Sequence, residues 1–420
     1  MNTQRGSALI TALMMLTLLM ILGSALLSSV TLDIAISDNY RTSTQLLYLS
    51  ELGIDAARRA LLESSNNPSE LLRRAAGTDG VLSASRDLDV LIGATDDVPF
   101  LSGGDRATGR LVSDTSGKAA GRYYVYLRND AADGGTSLSD TNEVLTLLSV
   151  AVIGNARKVL EVSVMKWRFP PLPATLVLEG SPAVFVPGGP GSAVSGLDSS
   201  AHGDDRLAIG VRTDADLASV LATIPTAIAY QYPGRGNPSP PPPDAGLIES
   251  LLDPRLRTPS GAERIVERIL ESATDASAPG WNGVTVLGNI GTHTDYRIVV
   301  VNGDCELGPG SGFGLLLVRG NLHLTGSFRW DGLILVIGQG GVSRGGAGSG
   351  IISGGMFVMR TRAGDRSSDN ELGTVLPVSG LTNVDFSGAG TSLQLENPGA
   401  AAIALVNQKF PYVPISNREY

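Results

Sequence analysis

The chain lacks most of the residue patterns that carry metal, redox or nucleotide chemistry. Cys305 is the only cysteine, which excludes an intrachain disulfide and a cysteine zinc site. The three histidines, His202, His293 and His323, are far apart in the sequence and form no ligand pair such as His-x-x-x-His. The chain also contains no P-loop and no dinucleotide-binding glycine pattern. We therefore expect no cofactor and no enzyme activity.

Charge is scarce as well. Charged residues make up only 17% of the 420 residues, and the net charge of −9 disfavours a nucleic-acid partner. Glycine is abundant, with 52 residues. Many glycines and few charges favour turns and close-packed β-structure over a helical bundle. The length allows two or three domains.

Residues 7–32 contain no charged side chain at all. About 20 apolar residues in a helix span the hydrocarbon core of a bilayer, and a chain in lipid must satisfy its own backbone hydrogen bonds. We therefore predict a transmembrane helix here. Arg5 is the only charge that precedes it, so we expect the N-terminus to stay in the cytoplasm. A cleaved secretory signal and a plain signal anchor are the alternatives.

Residues 1–6, the short polar leader before the apolar run, give a more specific interpretation of the predicted membrane helix. Arg5 and Gly6, followed directly by Ser7 and an apolar run, resemble the type III leader of type IV pilins and type II secretion pseudopilins. Residues 48–58, which include Glu51 and Gly53, are similar to the Ala-Glu-x-Gly segment of PilX-type minor pilins. The resemblance implies cleavage by a prepilin peptidase between Gly6 and Ser7. It also implies that the retained helix packs against other pilin subunits, first in the inner membrane and then in an extracellular filament.

Two positions depart from the family pattern. After cleavage behind Gly6, the fifth mature residue would be Thr11, where most major pilins carry Glu. PilX-type pilins and K-type pseudopilins often lack this Glu, and for them the resemblance implies a place at the filament tip or in an initiating complex. Ser7 stands where Phe or Met is usual, which bears on methylation of the new N-terminus.

Residues 33–167 are predicted to form a pilin-like periplasmic domain. The helix should continue to about residue 63, and Asn67 and Pro68 predict the start of a short second helix. Residues 121–167 hold three β-type runs, with a turn at 154–155 between the last two. Asp130, Asp133 and Asp140 follow the first run and are weak calcium candidates, although Asp is also an ordinary turn residue.

Residues 168–173 are Pro-rich and predict a stiff linker to a second domain, 174–420. In that domain, units of Gly followed by apolar residues recur at 314, 332 and 355. This period favours a parallel β-solenoid over a β-sandwich. Residues 213–283 interrupt the strands with predicted helices at 215–224, 245–252 and 264–273 and a Pro-rich loop at 237–243. A capping box of Ser260 and Glu263 is expected to open the third helix.

The sequence thus predicts an α+β protein with a membrane helix and a Gly-rich β domain. The leading hypothesis is a minor pilin-like subunit that acts in assembly initiation or at the tip, where its β domain would bind a surface ligand. A membrane-tethered β-helix protein acting on polysaccharide is an alternative. It would need clustered carboxylates, and the nearest acids are Asp304, Glu306, Asp331 and Asp365. A plain signal-anchored surface protein is the third hypothesis.

Overall fold

The computed structural model describes residues 4–64, 67–101, 109–113, 119–199, 205–235, 243–273, 284–363, 373–388, 391–398, 400–410 and 412–419. The chain divides into two compact units. Unit 1 comprises Met1–Lys166 together with Pro411–Tyr420, and unit 2 comprises Trp167–Phe410.

Both units mix helices and strands. The helices are α1 Gln4–Glu63, α2 Pro68–Ala75, α3 Leu88–Gly93, α4 Asp214–Thr223, α5 Pro259–Glu271 and α6 Ala400–Asn407, with 3-10 helices at Thr226–Gln231 and Pro254–Leu256. The first strands are β1 Arg110–Ser113, β2 Ala119–Asn129, β3 Val144–Ile153, β4 Ala156–Lys166, β5 Ala174–Leu178, β6 Ala183–Val186, β7 Ala193–Asp198, β8 Leu207–Val211, β9 Ala245–Leu247 and β10 Val284–Leu287. The remaining strands are β11 Arg297–Val301, β12 Asp304–Leu307, β13 Gly310–Val318, β14 Leu322–Thr325, β15 Phe328–Gly338, β16 Gly341–Gly345, β17 Gly348–Arg362, β18 Val375–Gly380, β19 Thr382–Asp385, β20 Thr391–Asn397 and β21 Tyr412–Glu419.

Unit 1 is built from an antiparallel sheet and the second half of α1. The strand order is β1-β2-β3-β4-β21. Strands β2, β3 and β4 lie in the region where the sequence shows three β-type runs, and Gly154 takes the positive φ of the turn between β3 and β4. Apolar side chains of α1, α2 and the sheet form one core cluster. The result is an α+β unit with the helix on one face of the sheet.

The predicted boundary of the second domain is wrong at its C-terminal end. Residues 412–419 form β21, which pairs antiparallel with β4, Tyr412 lying opposite Lys166. Unit 2 is therefore inserted between two neighbouring strands of the unit 1 sheet. Its own ends meet, because the rings of Trp167 and Phe410 pack edge to face at 4.4 Å and the backbone N–H of Phe169 donates to Asn407. Local sequence cannot show this pairing, since the two strands are separated by the whole of unit 2.

The expectation of a stiff linker at 168–173 also needs correction. Phe169 and Leu172 are almost fully buried within unit 2. Leu172 lies close to the backbone of Gly355 on β17. The segment is therefore part of the packed core of unit 2. Burial removes its apolar side chains from water, and this stabilises the folded state more than an exposed linker would.

Unit 2 contains two sheets of mainly parallel strands. One has the order β11-β13-β15-β17-β5-β8-β9, with β18, β20 and β7 attached beside it, and the other has the order β10-β12-β14-β16-β19-β6. From β10 to β17, consecutive strands alternate between the two sheets. Their inward side chains form one large hydrophobic cluster that includes Trp330 and Phe185. Parallel pairing, which the repeat in the sequence predicts, is present.

The recurring glycines stack across the strands. Gly314 lies opposite Gly332, and Gly332 lies opposite Gly354. Gly314 and Gly332 have φ values of +130° and +136°, and a Cβ at Gly332 would collide with the carbonyl oxygen of Gly314. Glycine is required there by conformation and by close approach. The predicted third repeat position, 355, is one residue off, because the register places Gly354 in the stack.

The region 213–283 contains two of its three predicted helices. The segment 245–252 is not helical: Ala245–Leu247 forms the edge strand β9, paired with β8. Helix α5 starts at Pro259 with Thr258 as its N-cap, so the capping box predicted at Ser260 and Glu263 is wrong. The Pro-rich loop at 237–243 lies almost wholly outside the described residues.

Glu263 instead joins α5 to the sheet through a buried ionic cluster. Its carboxylate accepts from Arg319 at 2.6 Å, from Arg362 at 2.6 Å and 3.1 Å, and from the Thr361 hydroxyl at 2.6 Å. Burial by itself would raise the pKa of this carboxyl, but the hydrogen bonds from Arg362, Arg319 and Thr361 hold the pKa below its ordinary value. The cluster fixes α5 to the sheet. Separating Glu263 from its arginines would leave a buried charge without a partner, which costs free energy.

We expect Glu263→Ala to lower the free energy of unfolding of unit 2 by about 3–5 kcal/mol, because it leaves the buried guanidinium of Arg319 and the partly buried guanidinium of Arg362 without their carboxylate. Denaturant unfolding followed by tryptophan fluorescence measures this, since Trp167 and Trp330 are buried residues of unit 2. The matched control is Glu271→Ala, which removes an exposed pair with Arg268 and should cost less than about 1 kcal/mol. Equal costs for the two variants would contradict the assignment.

Candidate functional site

The first half of α1 exposes its apolar side chains. The large apolar residues between positions 13 and 36 are 52–73% exposed. The helix is long and apolar enough to cross a membrane, and its most apolar part is 0% buried. The hydroxyls of Thr17, Ser24 and Thr31 donate to carbonyls of the same helix. Its polar groups are thus satisfied internally, which a helix in lipid requires.

The second half of α1 packs on the sheet of unit 1. Its buried face consists of Leu46, Leu49, Ile54, Ala57 and Leu61. These positions recur at the spacing of one helix face. Among the residues that the structure describes, the first part of the helix therefore has no packing partner, whereas its second part is docked on the sheet.

Gly53 lies where α1 approaches the sheet most closely. A Cβ at this position would overlap the Ser149 hydroxyl and would lie 3.1 Å from Tyr123 Cδ2 and 3.3 Å from Val125 Cγ2. Gly121, on β2, is similarly close to Leu49, with 2.6 Å between its Cβ position and Leu49 Cδ2. The glycine of the Ala-Glu-x-Gly-like segment thus has a packing role in this chain.

Glu51 lies on the exposed side of α1, at a groove of about 740 Å³. The groove is lined by residues of α1, β4 and β21: Leu47, Glu51, Ile54, Asp55, Arg58, Leu160, Val162, Pro414, Ile415 and Ser416. One wall is therefore supplied by the C-terminal strand.

Arg58 ties that strand to the helix. Its Nε donates to the carbonyl oxygen of Tyr412 at 2.8 Å, and its Nη1 lies 3.4 Å from the Asp55 carboxylate. Sequence reasoning missed this contact because Arg58 reads locally as one more solvated charge of an amphipathic helix. No local signal points to a partner that far along the chain.

The predicted cleavage site is placed only in part. Gly6, Ser7 and Thr11 all belong to α1, but their side chains lie outside the described part of the structure. The structure does bring Glu51 and Gly53 to one turn of α1, where Gly53 faces the sheet and Glu51 faces away.

The three calcium candidates support their own loop. Asp130 accepts from the backbone of Ala132, and Asp140 accepts from the backbone of Glu143. Asp133 accepts from both the hydroxyl and the backbone of Thr141, and these hydrogen bonds lower its pKa. Within the described residues, no group of three or more His, Cys, Asp or Glu side chains could hold a metal ion. The loop geometry is that of Asp-stabilised turns.

The acids considered for polysaccharide chemistry do not form one cluster. Asp304 and Glu306 lie on β12, where they accept from the backbone of Asn321 and from the Thr325 hydroxyl. Asp331 lies on β15 of the other sheet and pairs with Arg329. Asp365 lies outside the described residues.

We expect Gly53→Leu to destabilise the docking of α1 by about 1–3 kcal/mol through overpacking, a cost that exceeds the gain of about 1 kcal/mol in helix propensity. Hydrogen exchange in β2 and β3 should quicken accordingly. Gly23→Leu is the control, because a Cβ at Gly23 meets nothing within 4 Å. Unchanged exchange in the Gly53 variant would show that the close approach is not needed.

Comparison with known proteins adds little. No family model matches the chain, and no curated protein matches it. Among solved structures, the competence-associated pilin ComZ from Thermus thermophilus aligns over 90% of this chain and 97% of that chain, with 12% identity and a TM-score of 0.22. A TM-score this low carries no argument about fold or function, so the chain's own residues must support any functional conclusion.

Proposed function

We propose that the chain is a minor pilin-like subunit of a type IV pilus or a related filament. In this proposal α1 is the stem, the sheet of unit 1 braces the stem, and unit 2 is the head. The observation that carries the proposal is the division of α1. Its first half is exposed and apolar, whereas its second half is docked on its own sheet.

A stem of this kind is suited to two environments in turn. In the membrane, lipid covers the apolar side chains. In a filament, other helices would cover them through van der Waals packing. The Arg5-Gly6-Ser7 leader supports the second environment, because it resembles the site at which a prepilin peptidase releases the helix.

Thr11 supports a rare or terminal place in the filament. A carboxylate within a membrane helix costs several kcal/mol unless a partner neutralises it. A subunit at the tip has no neighbour above it that could supply an amine, so a neutral residue is the less costly choice. This is the pattern of minor pilins of the PilX type, which act in assembly initiation or at the tip.

We further propose that unit 2 is a short parallel β-solenoid that presents a binding face for a surface ligand. The alternation of strands between two parallel sheets and the stacked glycines Gly314, Gly332 and Gly354 support this. The insertion of unit 2 between β4 and β21 supports its role as a carried head. Because β21 pairs with β4, the sheet of unit 1 is continuous although the whole of unit 2 lies between these two strands in the sequence.

We expect the mature chain to begin at Ser7 and to be present in filaments sheared from cells. N-terminal mass spectrometry of the sheared fraction measures both. In Gly6→Ala the leader should be retained and the chain should be lost from that fraction, because the peptidase site has been removed.

The control for this experiment is Gly23→Ala, which changes a glycine elsewhere in α1 with open space around it and should be processed normally. Retention of Met1 in the wild type, with the chain absent from sheared filaments, would favour a plain signal anchor. Deletion of the whole chain without any change in pilus number or attachment would contradict the proposal altogether.

A further inference from the structure

A buried carboxyl in unit 2 lacks a close partner. Glu179 follows β5 directly and is 1% exposed. Its Oε2 has no hydrogen-bond partner among the described residues, and its Oε1 is 3.9 Å from Arg212 Nε, which is too long for a hydrogen bond. A buried carboxylate with one oxygen unsatisfied and only a long contact to its nearest cation is costly, so this geometry favours the neutral form of the side chain.

Arg212 makes its short contact elsewhere. It follows β8, and its Nη1 donates to the Ser379 hydroxyl at 2.7 Å. Ser379 is a buried residue of β18. The Arg212 guanidinium therefore lies between two groups. It is 3.9 Å from the Glu179 carboxyl, and it donates a hydrogen bond to the Ser379 hydroxyl.

Strand β18 lies at the edge of its sheet, where it also packs against α5. It pairs with β17 at Arg360↔Gly380 and Arg362↔Val375, with an irregular register between the two pairs. Val375 and Val378 expose their side chains. The bond from Arg212 to Ser379 adds a side-chain anchor to this edge.

Charged groups of several elements face Glu179. Burial is the main influence and raises the pKa of Glu179 to about 7. Arg212, which follows β8, and Arg257, which follows the 3-10 helix Pro254–Leu256, lower the pKa of Glu179. Glu249, which follows β9, and Asp216, on α4, raise it further. Asp216 and Arg257 are engaged elsewhere, with the backbone of Ala183 and of Leu252.

We propose that Glu179 is a proton-controlled lock on β18. When Glu179 carries its proton, Arg212 stays on Ser379 and β18 is held against β17. When Glu179 releases its proton to water, the carboxylate attracts Arg212, the bond to Ser379 breaks, and β18 detaches.

Linkage gives the direction of the pH effect. The pKa in the locked state is about 7, above the ordinary value of 4.5, and in the open state Arg212 stabilises the carboxylate and brings the pKa back toward that ordinary value. The open state therefore binds fewer protons than the locked state between these two values. The lock is complete below pH 4.5, weakens as the pH rises toward 7, and changes little above 7.

Hydrogen exchange of the full chain in detergent micelles tests the lock, read at 375–380 by mass spectrometry. Glu179→Gln cannot ionise, so the ratio of wild-type to Glu179→Gln exchange at each pH removes the intrinsic pH dependence of exchange. We expect this ratio to rise at least tenfold between pH 5 and pH 7 and to level off above pH 7. Glu271→Gln removes an exposed carboxylate of α5 that pairs with Arg268, and this variant should behave as the wild type does.

A ratio that stays constant with pH would overturn the proposal. Ser379→Ala gives an independent test should Glu179→Gln fold poorly, because it removes the acceptor of the Arg212 bond. Exchange at 375–380 in Ser379→Ala should already be fast at pH 5 and should respond little to pH. Slow exchange in that variant at pH 5 would show that Arg212 does not hold β18.

Discussion

The first half of α1 has no partner within the described part of its own chain, and this constraint governs the rest of the structure. Its apolar side chains, such as Leu19 and Leu26, are about two-thirds exposed. Buried apolar surface stabilises by roughly 25 cal/mol per Å², so the helix demands lipid or other helices around it. The second half must then hold the helix to its own sheet, and Gly53 allows that approach.

The pairing of β4 with β21 is the second organising contact. It makes unit 2 an insertion into the sheet of unit 1, and it brings the chain end back to α1, where Arg58 binds the carbonyl of Tyr412. The groove beside Glu51 exists only once β21 is in place. The sheet that supports α1 is therefore completed by the last strand of the chain, after the whole of unit 2 has been made.

Much of this architecture could be predicted because it is periodic. The apolar face of α1, the alternating runs of β2 to β4 and the recurring glycines of unit 2 are local patterns with a physical meaning. Contacts between distant segments could not be predicted. The strand β9 has three residues and shows no period, and β21 pairs with a strand far away in sequence. Glu263, which the sequence pattern places in a capping box, binds Arg319 and Arg362 instead. At the groove, the sequence resemblance named Glu51 and Gly53, whose role in a stem stays a prediction, but it did not show the contact of Arg58 with Tyr412, which depends on tertiary structure.

The environment of the first half of α1 can be measured directly. Cys305 is fully buried, and burial raises its pKa to about 12, so a cysteine introduced by Leu19→Cys would be the reactive one. A maleimide photocrosslinker on that cysteine would report what covers the helix in piliated cells. If the helix is a pilin stem, it should give covalent products with the helices of other filament subunits. Products with lipid alone, in cells that carry assembled filaments, would contradict the assignment of α1 as a stem.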